Sequence, residues 1–539
     1  MSRRRKPGAL VAVATVGLIA AGAGTAAATD PSGTSTGPSS SQPPYVIPVG
    51  DGVSTKSLLT VGDSVGGYRM VGIPDGLGAL RNGRSIELFM NHELARDKGV
   101  VRRHGQTGSF VSRFSINRRT LRVSNGYDLI DPGVSFWNYP TQTYGPTPSA
   151  AGPNPRDAAD PGAAFLAQTA AFNRFCSGTL SDRGQFYNKR SGRGYDGQLY
   201  FGNEEGGDES RSFAITTSGI TEQLPRLGLF SWENTKPAYN KTDRTLVQGQ
   251  EDNASGQIWT YVGTKRSKGT AAAQAGLTNG ALNVIDAVDE SVTNDAEFRA
   301  KYGKGKAAEV DLSQVDWDQS GAAQNREAAA DGLSLNRIED GSWDPQNPND
   351  YYFNTTEGGD KTPTPGTTSA RDGGGLWKLS YEDIENPELG ATLTLLLDGS
   401  EAPYLNKPDN MTIDQNGNLL IQEDPGNNPH VSRIVAYRIA DGALGVLARF
   451  DRRLFAPKTE TDPKAEDAKL TTDEESSGII DAARLLGEGW FLFDAQVHKT
   501  NPDPELVEEG QLLAMKVKDF ADVYDDDDNQ VEEDEVPAK

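Results

Sequence analysis

The sequence predicts an all-β fold, a six-bladed β-propeller with a few short helices in its insertions, and three observations carry that expectation. Glycine and proline are abundant, 60 and 30 residues in a chain of 539, and they punctuate short aromatic and β-branched runs rather than long helical patterns. Six of those runs end in polar or acidic residues: IELFMNHE (86–93), QLYFGNEE (198–205), QIWTYVGTK (257–265), DYYFNTTE (350–357), NLLIQED (418–424) and WFLFDAQVH (490–498). Their spacing is too irregular for a tandem array. A propeller accommodates both features, because each blade aims strand ends at a shared axis while the loops between blades vary freely. A set of two-sheet sandwiches would need linkers between them, and the sequence carries no second linker after Tyr45.

Residues 1–28 have the build of a signal peptide: a basic cluster from Arg3 to Lys6, an apolar run from Ala9 to Ala23, and the small residues Ala26, Ala27 and Ala28. The apolar run is short against the roughly 20 residues of a membrane span, so secretion without stable membrane insertion is expected, by the general or the twin-arginine route. Residues 29–44, rich in Ser, Gly and Pro, read as a flexible linker, because they cannot bury enough apolar surface to offset their ordering entropy. The propeller domain is expected over 45–522, with strands such as FVSRFSI (110–116), GLWKLS (375–380) and GQLLAMKV (510–517) beside the six runs. Insertions at 142–160 and 311–331 leave room for helices, with NREAAADG and the Ala-rich stretch near Ala164 as candidates. Residues 523–539 read as a solvated, disordered acidic tail, without the alternating ligands and glycine of an EF-hand loop.

The net charge of −23 repels nucleic acid and anionic lipid and draws in divalent cations, so neither a nucleic-acid partner nor a membrane partner is expected, and the chain reads as a monomer. A single cysteine excludes an intrachain disulfide; Cys176 is either a small buried hydrophobe or a thiol kept for a ligand. Other signatures are missing. GDGVSTKS (50–57) lacks the closing Gly-Lys-Ser/Thr of a phosphate loop, no Gly-X-Ser-X-Gly elbow is present, and the four histidines, at 92, 104, 430 and 498, do not form a zinc-protease motif. His92 reads equally as a strand-end orienter and as a ligand.

In a propeller the polar strand ends converge at one mouth, which makes Asn91, Glu93, Glu204, Glu205, Glu339, Asp340, Asp409, Glu423, Asp424, Glu475 and His498 candidates for one site. Each acid alone reads as a solvated strand end; convergence is what makes a site of them. Adjacent carboxylates such as Glu204 and Glu205 raise each other's pKa unless cations or donors neutralise them. Hard cations take roughly six to eight oxygen ligands, which such a ring can supply.

The segments FMNHE (89–93), FCSG (175–178), GNEEGGDESRSF (202–213), QIWTYVGTKRSKG (257–269), LNRIEDGSWDP (335–345), LNKPDNMTIDQNGNLLIQED (405–424), and EESSG through FDAQVH (474–498) together resemble, in order, the landmarks of the PhoX-type alkaline phosphatase family. The resemblance implies a secreted propeller that hydrolyses phosphate monoesters, a small phosphoester as substrate, and Fe3+ and Ca2+ as cofactors. It implies Cys176 as the iron ligand and, as further metal ligands, Glu204, Glu205, Glu339, Asp409, Asp424, Glu475, Asn91 and Glu93. Cys176, Arg337 and Glu339 are implied as the catalytic set. A thiolate suits a transition metal, while carboxylates suit calcium and ferric iron alike. Arg337 would clamp the phosphate through its planar fork or form a salt bridge to a neighbouring acid. Three departures stand out: a longer segment after Cys176, Arg337-Ile338-Glu339 where the family has Arg-Pro-Glu, and Gln496-Val497-His498-Lys499 where it has Gln-His-Pro-Gly. A calcium-stabilised binding propeller and a single-calcium lactonase are the competing expectations.

Overall fold

The computed structural model describes residues 32–154, 164–361, 371–426, 430–456 and 469–525. The expected leader at 1–28 and most of the expected tail at 523–539 lie outside them. The described chain is all-β with six short helices among the described residues, in a propeller-like arrangement.

Four separate sheets, antiparallel except for one parallel edge strand, and one nine-stranded sheet build its body, with three two-stranded sheets beside them. The strand Pro74–Asn82 starts a sheet that continues through Ser85–His92, Phe110–Asn117 and Val123–Asp128. Phe175–Leu180 starts the next, followed by Leu199–Glu204, Ser212–Thr216 and Thr221–Gln223. The nine-stranded sheet begins at Trp232–Pro237 and ends at Ile338–Trp343; its middle strand, Ala307–Val315, pairs with Ala281–Ala287 on one side and Ala391–Leu397 on the other. Pro408–Ile413 heads a sheet that Val46–Pro48 completes, and Glu474–Asp481 heads one that Val53–Thr60 and, outside it, Thr34–Thr36 complete. The two ends of the folded chain are thereby zipped together by main-chain hydrogen bonds.

Six strands line a common axis: Pro74–Asn82, Phe175–Leu180, Trp232–Pro237, Ile338–Trp343, Pro408–Ile413 and Glu474–Asp481 each pack against the next, and the last packs against the first. Apolar cores fill the wedges between successive sheets. Leu88, Phe114, Leu492 and Leu512 share one, Phe89, Tyr200 and Phe213 another. The nine-stranded sheet curls so that Leu246 and Ile258 of one half meet Tyr351, Phe353 and Trp377 of the other. The strands approach the axis so closely that a Cβ on Gly76 would lie 2.0 Å from the Gly178 amide nitrogen, a spacing that only glycine permits.

Two expectations are corrected. Residues 32–44 are not a free linker: Thr34–Thr36 lies parallel to Thr55–Ser57, and the Ser57 hydroxyl donates to the Gln42 carbonyl. Backbone pairing supplies the ordering that side-chain burial could not. Five of the six polar-ended runs are the second strands of their sheets, and Ile258–Thr264 within QIWTYVGTK is a third strand. The second strand of that sheet is Arg244–Glu251, which ends in GQE before Asp252. Helix Gly321–Asp331 forms where NREAAADG predicts one, with Ser320 capping it by accepting from the Ala323 amide. Residues 164–171 near Ala164 are not helical, and 155–163 lie outside the described residues.

Candidate metal centre

The second residue of every axis strand is a carboxylate or the cysteine: Asp75, Cys176, Glu233, Glu339, Asp409 and Glu475. In five of the six strands the register slips at this point, two residues opposing one on the neighbour, between Pro74 and Leu77, Phe175 and Gly178, Trp232 and Thr235, Ile338 and Gly341, and Pro408 and Met411. Such a β-bulge re-aims a side chain. It falls on Asp75, Cys176, Glu233, Glu339 and Asp409.

A second tier sits where the second strands reach the mouth: Glu93, Glu205, Asp252, Thr356, Asp424 and His498. Strand alternation explains why only one of each adjacent acid pair faces the mouth. Glu205 and Asp424 face it. Glu204 is turned into the protein, where Arg211 grips it with Nε to Oε2 and Nη2 to Oε1, both at 2.6 Å. Glu423 is held likewise by Arg433 at 2.8 and 2.7 Å, and Glu251 accepts from the Trp259 indole at 2.9 Å.

Two residues before each second-tier position stands an amide: Asn91, Asn203, Gln250, Asn354, Gln422 and Gln496, all fully buried. Four of them donate to the axis strand of the next sheet in the ring or its neighbouring half. Asn91 reaches the Cys176 carbonyl at 2.6 Å, Asn354 the Asp409 carbonyl at 3.1 Å, Gln422 the Ser477 carbonyl at 3.2 Å, and Gln496 the Asp75 carboxylate at 3.0 Å.

Two clusters result, each with its ligand atoms within 4.8 Å of one another: Asp75, Glu93 and Cys176, and Glu233, Glu339 and Asp409. The Cys176 sulfur joins them, lying 3.0 Å from Glu233 Oε2 and 3.4 Å from Asp75 Oδ2. Burial first, then mutual repulsion, raises the carboxyl pKa of Asp75 and of Glu339 far above the usual range, and burial first, then neighbouring acids including Glu475 and Glu233, does so for Asp409. Burial pushes Glu233 up to about 8 and Asp424 to about 7. The Cys176 thiol is driven up by burial and by Asp75, Glu233 and Glu93. A group of acids that repel one another and leave Glu233 Oε1 buried with no hydrogen bond among the described residues is matched to cations. A thiol among carboxylates fits a transition metal on the Cys176 side and a harder, oxygen-seeking cation on the other.

Two arginines flank the clusters. Arg174 Nη2 lies 2.6 Å from both Glu93 and Glu205, and Arg337 holds Asp252 with Nε and Nη2 at 2.8 and 2.9 Å while its Nη2 lies 3.1 Å from Glu339. His498, between Glu508 at 2.9 Å and Glu475 at 3.8 Å, keeps its proton up to about 11 despite the opposing effect of burial.

Of the residues the sequence singled out, Cys176, Glu93, Glu205, Glu339, Asp409, Asp424, Glu475 and His498 come together at this mouth. Four do not supply ligands there. Glu204 and Glu423 are spent on buried arginines, Asn91 is spent on the Cys176 carbonyl and the Tyr200 hydroxyl, and Asp340 points down the axis to Lys236 at 3.0 Å and Asn234 at 2.9 Å. His92 is a packed core residue stacked on Phe110, its Nε2 2.7 Å from the Ser112 hydroxyl, and burial lowers its pKa to about 3. Asp75, Glu233, Asp252 and Arg174 escaped the sequence reading. The repeated Asn/Gln-X-acid at the second strands, NHE, NEE, QED and QED again, would have found Asp252.

Residues 217–479, just under half of the chain, match the family of alkaline phosphatase PhoX. No curated protein matches the chain. Among solved structures, that of Pseudomonas fluorescens PhoX in complex with vanadate, a transition-state analogue, aligns with a TM-score of 0.56 at 11% identity over 91% of this chain and 98% of that one. The NanB sialidase of Streptococcus pneumoniae aligns with a TM-score of 0.34 at 6% identity, over 84% of this chain and 69% of that one.

Proposed function

We propose, from the premise that this chain resembles the PhoX-type alkaline phosphatases and is an alkaline phosphatase-like phosphoric monoester hydrolase, that it is a secreted, metal-dependent enzyme cleaving phosphate monoesters at an iron and calcium cluster. The carrying observation is the Cys176 sulfur set between two buried carboxylate groups. Cys176, Asp75, Glu93 and Glu233 would hold iron, and Glu233, Glu339 and Asp409, with Glu475 and Asp424 beside them, would hold calcium. When bound, such ions supply charge that neutralises phosphoryl oxygens and the leaving oxygen as the bond from phosphorus to water forms and the bond to the leaving group breaks.

The chain's own groups order that site. The Thr356 hydroxyl donates to Glu339 at 2.7 Å and fixes which oxygen it presents. The Asn91 and Asn354 amides fix the backbone beneath Cys176 and Asp409. His498 adds a positive charge at the rim.

The reading extends to the whole molecule. On this reading the nine-stranded sheet would stand for two four-stranded blades bridged by Ala307–Val315, and the other four sheets would complete a count of six. No helix among the described residues is long and apolar enough to cross a membrane, and a secreted monomer acting on a small phosphoester accords with the net charge of −23, which disfavours nucleic-acid substrates.

The test is hydrolysis of an aryl phosphate by the mature protein with calcium, after chelation, and in Cys176→Ala, with elemental analysis of each. Chelator-sensitive turnover, lost in Cys176→Ala together with iron, is expected. A Cys176→Ala protein that keeps both its iron and its activity would sink the assignment.

A further inference from the structure

The chain carries a net charge of −23, yet two stretches of it hold cations and no acid. Between Asp182 and Asp196 stand Arg183, Lys189, Arg190 and Arg193, and between Asp252 and Asp286 stand Lys265, Arg266 and Lys268. The first lies in the segment after Cys176 whose length departs from the PhoX pattern, and both stretches contain Lys-Arg-Ser, at 189–191 and 265–267. Phe175–Leu180 runs away from the metal mouth, starting beside Cys176, and Ile258–Thr264 does so from its pairing with Gln250, so both stretches emerge at the opposite end of their sheets. Strands of six or seven residues set the two levels about 20 Å apart.

The fold ties the two stretches into one surface. Tyr187–Asn188 and Arg193–Gly194 pair as a small two-stranded sheet, and the Gly194 amide donates to the Arg266 carbonyl at 2.9 Å. Only glycine fits at 194, where φ is 111° and a Cβ would lie 1.9 Å from the Phe186 carbonyl oxygen. Asp243 is the hub. Its carboxylate accepts from Asn188 Nδ2 at 2.6 Å, from the Ser191 hydroxyl and from Arg193 Nη1 at 3.0 Å, while its carbonyl accepts from the Lys265 amide at 2.7 Å. Lys265 turns inward and donates to the Asn240 and Thr242 carbonyls at 2.6 and 2.9 Å. Lys189, Arg190, Lys241, Arg266 and Lys268 are left exposed, with no ion pair to any of them among the described residues. The acid at the centre of this surface is thus spent on holding it together. Salt screens exposed charges beyond roughly 8 Å at physiological ionic strength, so the local positive excess survives in an acidic chain.

We propose that this surface, at the end of the molecule opposite the metal centre, docks the protein on a base-free linear phosphodiester polymer, a chain of alternating polyol and phosphate. Guanidinium and ammonium groups on loop tips suit single charges spaced along a flexible chain. The exposed large apolar side chains all lie outside 186–194 and 265–269. The surface therefore offers neither an apolar wedge for a lipid bilayer nor a platform on which bases stack. The phosphodiester is inert to an enzyme that cleaves monoesters, so the polymer persists as an anchor while the mouth faces away from it. Only that inertness rests on the phosphatase reading above.

The experiment measures binding of the metal-loaded mature protein to fluorescently labelled poly(glycerol phosphate) by anisotropy, between about 50 and 200 mM salt. Wild type is compared with Arg190→Gln/Arg266→Gln, with Lys189→Gln/Lys268→Gln, and with a control, Lys56→Gln/Lys518→Gln, that removes two charges from the sheet headed by Glu474–Asp481. Tm and aryl phosphate kinetics are recorded for each. Wild-type affinity should fall with salt, and each double variant of the surface should raise Kd about tenfold or more at low salt and reduce the slope of log K against log salt by about 1.5. The control should stay within about twofold of wild type, and kcat/KM should be unchanged throughout. The proposal is overturned if wild type does not bind the polymer at low salt, if both surface variants bind it like wild type, or if the control loses as much. Tighter binding to phosphatidylglycerol vesicles or to duplex DNA than to the polymer overturns it too. Should one surface variant not fold, the other decides. Binding is read without turnover, so a protein that docks but hydrolyses no ester fails the phosphatase reading and leaves the docking surface standing.

Discussion

Glu204 and Glu205 are neighbours in sequence with opposite fates, and the difference is a matter of one peptide unit. Glu204 is nearly fully buried and accepts from Arg211 at 2.6 Å through each oxygen, with the Asn173 amide adding a third contact at 3.1 Å. Removing one partner of such a pair strands the other charge in a dry environment, so Arg211→Met should cost about 3–5 kcal/mol in chemical denaturation. Glu205 instead pairs with the half-exposed Arg174, and its carboxyl is raised by burial and by Glu93, Asp252 and Glu233. Glu205→Gln should therefore lower metal content or phosphate turnover while leaving denaturation nearly unchanged, and Glu204→Gln should do the reverse. Equal effects of the two substitutions on metal content would remove the distinction between latch and mouth residue. The sequence makes the pair visible and leaves its division of labour hidden, because which member faces inward depends on the register of Leu199–Glu204 against Phe175–Leu180.

At the scale of the strand pair, the site is a bulge on one strand and an amide on the next. Gln422 donates to the Ser477 carbonyl at 3.2 Å and accepts from the Ile479 amide at 3.1 Å, stapling Asn418–Glu423 to the axis strand that carries Glu475. Gln422→Leu leaves two buried backbone groups unpaired, so it should destabilise by about 1–3 kcal/mol. Metal affinity should fall with it, because Glu475 loses its fixed backbone. A calorimetric Tm and a calcium titration check both, and unchanged values would show the staple to be idle. This level was half legible. The ends NHE, NEE and QED of the second strands stand out as polar termini of apolar runs. The axis strands do not, because PDGLGALRN and WENTKP mix glycine, amides and charges with no clean alternation. The bulges that interrupt their period are the same feature that aims Asp75 and Glu233, so the functional device erases the pattern by which a strand is read.

Across the molecule, two terminal strands close the ring and a knot of acids occupies its axis, which sets folding against charge. The carboxyls of Glu233 and Glu251 are pushed up to about 8 and that of Asp424 to about 7, chiefly by burial. A carboxyl whose folded pKa exceeds its unfolded value binds more protons when folded, so stability falls as pH rises from the ordinary carboxylate range and the loss is complete above about 8. His498 acts in the same direction: its ion pairs with Glu475 and Glu508 stabilise fully below 6.5 and are lost as pH climbs toward about 11. Chelated protein should therefore show a Tm that declines steadily between about pH 5 and pH 8.5. Cations that bind the ionised ring supply stability by mass action, and they bind best where the acids are ionised, so calcium and iron should raise Tm most at the alkaline end. Thermal unfolding of chelated and loaded protein across that range separates the two effects. A chelated protein whose Tm is flat with pH would mean that the acid ring is neutralised from within the chain. Cation capture by Asp75, Glu233, Glu339 and Asp409 would then not be what stabilises the loaded protein at the alkaline end.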